Sequence, residues 1–243
     1  IHQSGKPILQ TGSFIPEGPV RDGCRRPAAG LSSGSTSSAK GTPMILYTAT
    51  ASPFGRKVKL AAHCLGLIDS ITPRLTNTND PDDEIRTLNP LGKIPALVTD
   101  DITLYDSRVI LEYLDSLAGG GRLLPASGAA RFEVLTRAAK MDGMMEAALL
   151  VVYESRFRPE GMQVDSVLAT QRGKIIRGLE SIGAADYGNG AMPDLGEIGL
   201  ACLLDYLDFR KQVEWRDHAP QLVSWMADFA AAVPGYEITL PAD

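Results

Sequence analysis

Three short segments carry the side chains and backbone groups most suited to chemistry: Ser52-Pro53-Phe54-Gly55-Arg56-Lys57-Val58, Asn89-Pro90-Leu91-Gly92-Lys93-Ile94-Pro95-Ala96-Leu97-Val98, and Tyr105-Asp106-Ser107. Pro95 cannot donate a ladder hydrogen bond, so it belongs at the first position of a strand. Gly92 allows the sharp turn that precedes it. Ser52-Pro53 and Asp106-Ser107 have the composition of helix starts, with a capping side chain and, in the first case, Pro at the first helical position. The opening N–H groups of a helix have no partner within it and attract anions. A strand end with exposed backbone beside such a helix tip suits a small peptide that carries carboxylates.

The elements that must position these segments follow in a regular order from Met44. Met44–Thr48 reads as a buried strand, Pro53–Leu65 as a helix closed by Gly66, and Ile71–Leu75 as a second strand. Asp82–Leu88 reads as a short helix, Ala96–Thr99 and Ile102–Tyr105 as a hairpin pair, and Ser107–Leu117 as the next helix. Strand, helix, strand, helix, strand, strand, helix is the element order of a thioredoxin-like domain. Ala118–Pro125 reads as a linker, and strand signals then vanish. Helices are expected over Ala129–Tyr153, Gln163–Ser181, Asp194–Phe209 and Pro220–Ala232, packed as a bundle. The expected organisation is thus an N-terminal extension over 1–43, a thioredoxin-like domain over 44–118, a linker over 119–126 and an all-helical domain over 127–243. The extension is rich in Gly, Ser and Pro and is expected to be disordered, as a tag or a product of an upstream start.

Composition narrows the function. The chain has 243 residues, 44% of them hydrophobic, and a net charge of −5. No basic patch suggests nucleic acid, and no apolar run approaches the roughly 20 residues that span a bilayer. The three cysteines, Cys24, Cys64 and Cys202, are too few for a disulfide framework and fit a reducing cytosol. His2, His63 and His218 lack metal-ligand spacing, so no metal site is expected. There is no C-x-x-C, which argues against disulfide exchange despite the thioredoxin-like order.

Taken together, N-P-L-G-K-I-P, the Asp106-Ser107 pair and Pro193-Asp194-Leu195-Gly196-Glu197 resemble the cytosolic glutathione S-transferases from Met44 to the C-terminus, in a bacterial form with a Ser-type glutathione site. The resemblance implies a cis Pro95 and an Ile94 backbone that pairs with the cysteinyl part of glutathione. It implies that Ser107 binds the γ-glutamyl carboxylate, Asp106 its amine and Lys93 the glycyl carboxylate. Phe54 becomes a further glutathione contact and a wall of the acceptor pocket. Ser52 becomes the catalytic hydroxyl that donates to the glutathione sulfur, with Thr50 as a second hydroxyl nearby. The ordinary reading of Ser52 is a helix cap, and the expectation is that cap and donor compete for one hydroxyl. Asp194 with Glu197 is expected to form a structural capping box.

The implied activity is conjugation of glutathione, as co-substrate, to hydrophobic electrophiles, by a two-fold homodimer that contacts neither nucleic acid nor membrane. A non-catalytic glutathione- or protein-binding member of the fold, or a glutathione-dependent isomerase or peroxidase, are the alternatives. Met141, Met144, Met145 and Leu149 are candidates for the acceptor pocket, with bundle core as their ordinary explanation. Asp142 could face the same cleft. Arg56 and Lys57 read as a solvated helix face, Cys64 as core, and Tyr153 and Arg156 as surface or interface.

Overall fold

The computed structural model describes residues 43–183, 186–188 and 192–242. The expectation for 1–43 therefore falls almost wholly outside the described residues. Strands β1 (Met44–Thr48), β2 (Ile71–Leu75), β3 (Ala96–Val98) and β4 (Thr103–Leu104) form one sheet in the order β2-β1-β3-β4. β1 and β2 are parallel, and the other two pairings are antiparallel. Helices α1 (Pro53–Leu65), α2 (Ile85–Leu88) and α3 (Ser107–Leu117) complete the thioredoxin-like half. Alternation along β1 sends Leu46 toward α1 and α3, and sends Tyr47 to the opposite face with Ile85 and Ala96. The Tyr47 hydroxyl there accepts a hydrogen bond from Arg74 at 3.2 Å.

The second half is all helical: α4 (Gly128–Phe157), α5 (Asp165–Glu180), α6 (Leu195–Arg210), α7 (Trp215–His218) and α8 (Leu222–Ala232). Its buried side chains and those of α1 and α3 make one continuous core. The connection between the halves is held firmly. The buried Asp115 carboxylate accepts from the backbone N–H groups of Gly121, Arg122 and Leu123 at 2.9, 3.0 and 2.8 Å. Leu123 and Leu124 are buried, and the Leu123 carbonyl accepts from Leu195 N–H at 3.1 Å.

Several elements differ from the sequence expectation, and side chains explain most of the differences. The helix expected over Asp82–Leu88 shrinks to Ile85–Leu88, because Asp83 takes the amides of Asn77 and Ile85 at 2.8 and 2.9 Å and Asp80 takes that of Asp82. The hairpin strands shorten because Thr99 Oγ1 accepts from the Ile102 and Asp101 amides. α4 runs four residues past Tyr153, where Arg158 pairs with Glu154. α7 has four residues, too few for a periodic signal. The capping box forms as expected: Asp194 accepts from Gly196 and Glu197 amides at 2.8 and 3.0 Å, and Glu197 accepts from Asp194 N–H at 2.7 Å.

Candidate functional site

The sheet register brings the three chemistry-bearing segments to one end. Leu46 pairs with Leu97 and Tyr47 with Ala96, so the next step sets Pro95 beside Thr48, where the chain leaves for the Ser52 turn. Leu97 pairs with Leu104 and Val98 with Thr103, so continuing that register sets Ile94 and Pro95 alongside Asp106 and Ser107. α1 and α3 both begin at this end, with their opening N–H groups and positive dipole ends.

Each segment is locally fixed. Ser52 is the N-cap of α1, and its Oγ accepts from Gly55 N–H at 3.1 Å. Gly55 packs closely on β1: a Cβ there would sit 2.0 Å from Thr48 Oγ1, so a larger residue would require Thr48 to move. The Ile94–Pro95 peptide is cis. Gly92 turns the chain at φ 61°, and the buried Asn89 braces the loop by accepting from Leu91 N–H at 3.0 Å and donating to the Lys93 carbonyl at 2.8 Å. Pro95 is buried, Ile94 half-buried and Lys93 exposed. Asp106 caps α3 by accepting from Arg108 N–H at 2.9 Å, and Ser107 behind it is buried. Phe54 is half-buried beside Ser52.

The cap geometry corrects one expectation. Ser52 caps with a lone pair, so its hydroxyl hydrogen stays available for a second partner. Cap and donor do not compete.

Arg56 and Lys57 also correct an expectation: each is 1% exposed. Lys57 is paired with Asp142 of α4, itself 1% exposed, and Arg108 Nε donates to the other Asp142 oxygen at 2.8 Å. One carboxylate therefore ties the first turns of α1 and α3 to α4. Asp142 is sealed by its partners and does not face an open cleft. Its signal in the sequence is a lone carboxylate among methionines, Met141-Asp142-Gly143-Met144-Met145. Arg56 is paired with Asp205 of α6, donates to Thr239 Oγ1 at 3.4 Å, and lies 5.0 Å from the Tyr236 ring. Tyr236 in turn donates to Asp205 at 2.9 Å. Burial pushes the Asp205 carboxyl up, and Arg56 opposes that.

The methionines are placed as core. Met141, Met144 and Met145 are 0–3% exposed; Met141 packs on Gly199 of α6 and Met144 on Gly178 of α5. None of the three has surface left for an acceptor, whereas Leu149, one turn further along α4, is half-buried. Cys64 and Cys202 are buried free thiols, each pushed up to about 11 by desolvation, so neither is a thiolate at neutral pH. Among the described residues no group of three His, Cys, Asp or Glu is placed to hold a metal, and no helix is long and apolar enough to cross a membrane.

Comparison with known proteins agrees with this fold. Residues 46–122 match the family model described as the glutathione S-transferase N-terminal domain. YibF of Escherichia coli (strain K12), an uncharacterised GST-like protein, is 33% identical over 187 residues, which is 74% of this chain and 90% of YibF. A glutathione transferase family member from Pseudomonas fluorescens Pf-5, solved with glutathione, is 38% identical with a TM-score of 0.71, covering 79% of this chain and 98% of that one. Its structure with S-(propanoic acid)-glutathione superposes with a TM-score of 0.72 at 38% identity, over 82% of this chain and 100% of that one.

Proposed function

Because the chain belongs to the glutathione S-transferase family, we propose that it is a glutathione transferase that stabilises the thiolate of bound glutathione and conjugates it to electrophilic, largely apolar compounds. The observation that carries this reading is the convergence of Ser52, the cis Ile94–Pro95 turn and Ser107 at one end of the sheet, beside two helix N-termini. The glutathione-bound relatives support the choice of ligand.

The proposed roles follow from donor and acceptor chemistry. The half-buried Ile94, beside the buried Pro95, offers its backbone to the cysteinyl backbone. Ser107 and the amides opening α3 receive the γ-glutamyl carboxylate, and Asp106 its ammonium. Lys93, exposed at the rim, meets the glycyl carboxylate. Phe54 flanks the sulfur. Ser52 donates its hydroxyl hydrogen to the sulfur while Gly55 occupies a lone pair of the same oxygen. A free cysteine thiol ionises near 8.5, so only a few per cent is thiolate at neutral pH. The Ser52 donor and the positive end of α1 both favour the anion, and each unit of downward shift corresponds to about 1.4 kcal/mol. Holding the electrophile next to that anion then supplies much of the acceleration. The proposed molecule is a cytoplasmic homodimer, a pairing supported by the exposed apolar side chains of Tyr105, Val109 and Phe132 on neighbouring elements.

Isothermal calorimetry with glutathione tests the reading. The wild-type chain should bind one tripeptide per protomer, and Ser107→Ala should weaken binding about tenfold or more, since it removes a donor to a carboxylate. A folded chain that gives no heat with glutathione contradicts the proposal.

A further inference from the structure

The turn that carries Lys93 is tied to a second loop by Arg86. Beyond β2 the chain leaves the sheet at the Ser52 end, where Thr76 N–H donates to the Thr48 carbonyl at 3.0 Å. A polar run over 76–84 follows, and then α2 and the Asn89–Pro95 turn. Arg86, on α2, reaches back to that run. Its Nε donates to the Asp80 carbonyl at 3.0 Å and its Nη2 to the Thr78 carbonyl at 3.2 Å. The same side chain lies against Gly92: a Cβ built there would stand 3.6 Å from Arg86 Cγ and 3.8 Å from Nη1.

Local chemistry explains why an arginine in an acidic stretch bonds to carbonyls. Asp83 accepts from the Asn77 and Ile85 amides, Asp80 accepts from Asp82 N–H, and Glu84 pairs with Arg74 at 2.8 Å. A guanidinium presents its N–H groups in a rigid fork, so it holds two carbonyls at once while its stem covers Gly92. Asn89 grips the same turn through the Lys93 carbonyl and Leu91 N–H. The backbone around Lys93 is therefore braced by both Asn89 and Arg86. The Lys93 ammonium, by contrast, is exposed and has no hydrogen bond or ion pair among the described residues.

We infer that Arg86 is a positioning residue: by fastening the Thr78 and Asp80 backbone to the Gly92 turn, it sets Lys93 to meet the glycyl carboxylate. The site thereby prefers glutathione with a free glycyl carboxylate over the same tripeptide amidated there. The inference rests on the glutathione transferase reading and adds the origin of this selectivity to it. Arg86 acts through Lys93 and does not itself touch the ligand. The fork matters more than the charge, because the partners of Arg86 are two neutral carbonyls.

Calorimetry with glutathione and with its C-terminal glycinamide tests this in the wild type, Arg86→Lys, Arg86→Met, Lys93→Gln and the variant that combines Arg86→Met with Lys93→Gln. Arg86 and Lys93 are exposed, so these changes leave the core intact. The wild type should bind glutathione about fivefold more tightly than the amide, as suits an ion pair at an exposed rim. Both Arg86 variants should erase most of that preference and leave the affinity for the amide unchanged, since Lys keeps the charge without the fork and Met keeps only the stem. Adding Arg86→Met to Lys93→Gln should change neither affinity. Equal losses for the two ligands in Arg86→Met would mark a general loosening of the loop, and a further loss on top of Lys93→Gln would put Arg86 on the ligand; either result overturns the inference. So does an Arg86→Lys variant that matches the wild type, because charge alone would then suffice. A wild type that binds both ligands equally overturns it while the glutathione reading stands, and a chain that binds neither overturns both.

Discussion

Ser52 shows how much work one oxygen can do. Its lone pair accepts from Gly55 N–H, which leaves its hydrogen for the glutathione sulfur in the proposed function. By residue type alone these roles compete; the direction of the cap bond reconciles them. The cysteines give a different lesson at this scale. Cys64 was legible as core from its place on the apolar face of α1, but the setting of Cys202, wrapped by Arg56, Lys57 and Asp205, was not, because it depends on a second helix. Burial raises the Cys202 thiol from 9.0 to about 11. The folded state therefore holds its proton where the unfolded chain has released it. Stability from this site is complete below about pH 9 and is lost as pH rises through 11, by about 2–3 kcal/mol. Denaturant midpoints measured between pH 8 and 11 should thus fall less for Cys202→Ala than for the wild type.

At the scale of elements, the first turn of α1 was the least legible part of the site. Arg56-Lys57 beside each other on a helix looks solvated, and their partners lie 149 and 85 residues away. Only the packing of α1 against α4 and α6 turns them into buried pairs. Capping signals, by contrast, are local, so the starts of α1, α3 and α6 could be read directly from Ser52, Asp106 and Asp194. The Lys57–Asp142–Arg108 connection should be costly to break on one side. Asp142→Asn leaves the buried Lys57 ammonium without a counter-charge, and we expect a loss of about 3–5 kcal/mol in chemical denaturation. Replacing Lys57 and Asp142 together by Met and Leu should recover most of that loss. If the single and double variants were equally destabilised, charge pairing would not be what holds these helices.

Across the whole molecule, the order of elements was legible because strand and helix periods are local. The sheet register that unites Ser52, Ile94 and Ser107 could be inferred only once the hairpin pairing was known. Which turns of α4 meet α3 was not legible, since Arg108–Asp142 and Arg131–Glu112 join residues far apart in sequence. The sheet end gathers the groups to which glutathione binding is proposed, and the helices of the second half share one core with α1 and α3.

Thiolate stabilisation is tested most directly by a pH titration of bound glutathione, followed by the ultraviolet absorbance of its thiolate, in the wild type and in Ser52→Ala. We expect a bound thiol that ionises at least about one unit below the free value near 8.5, with Ser52→Ala moving it back toward that value. A bound thiol that titrates like free glutathione in the wild type would contradict the role proposed for Ser52 and the tip of α1.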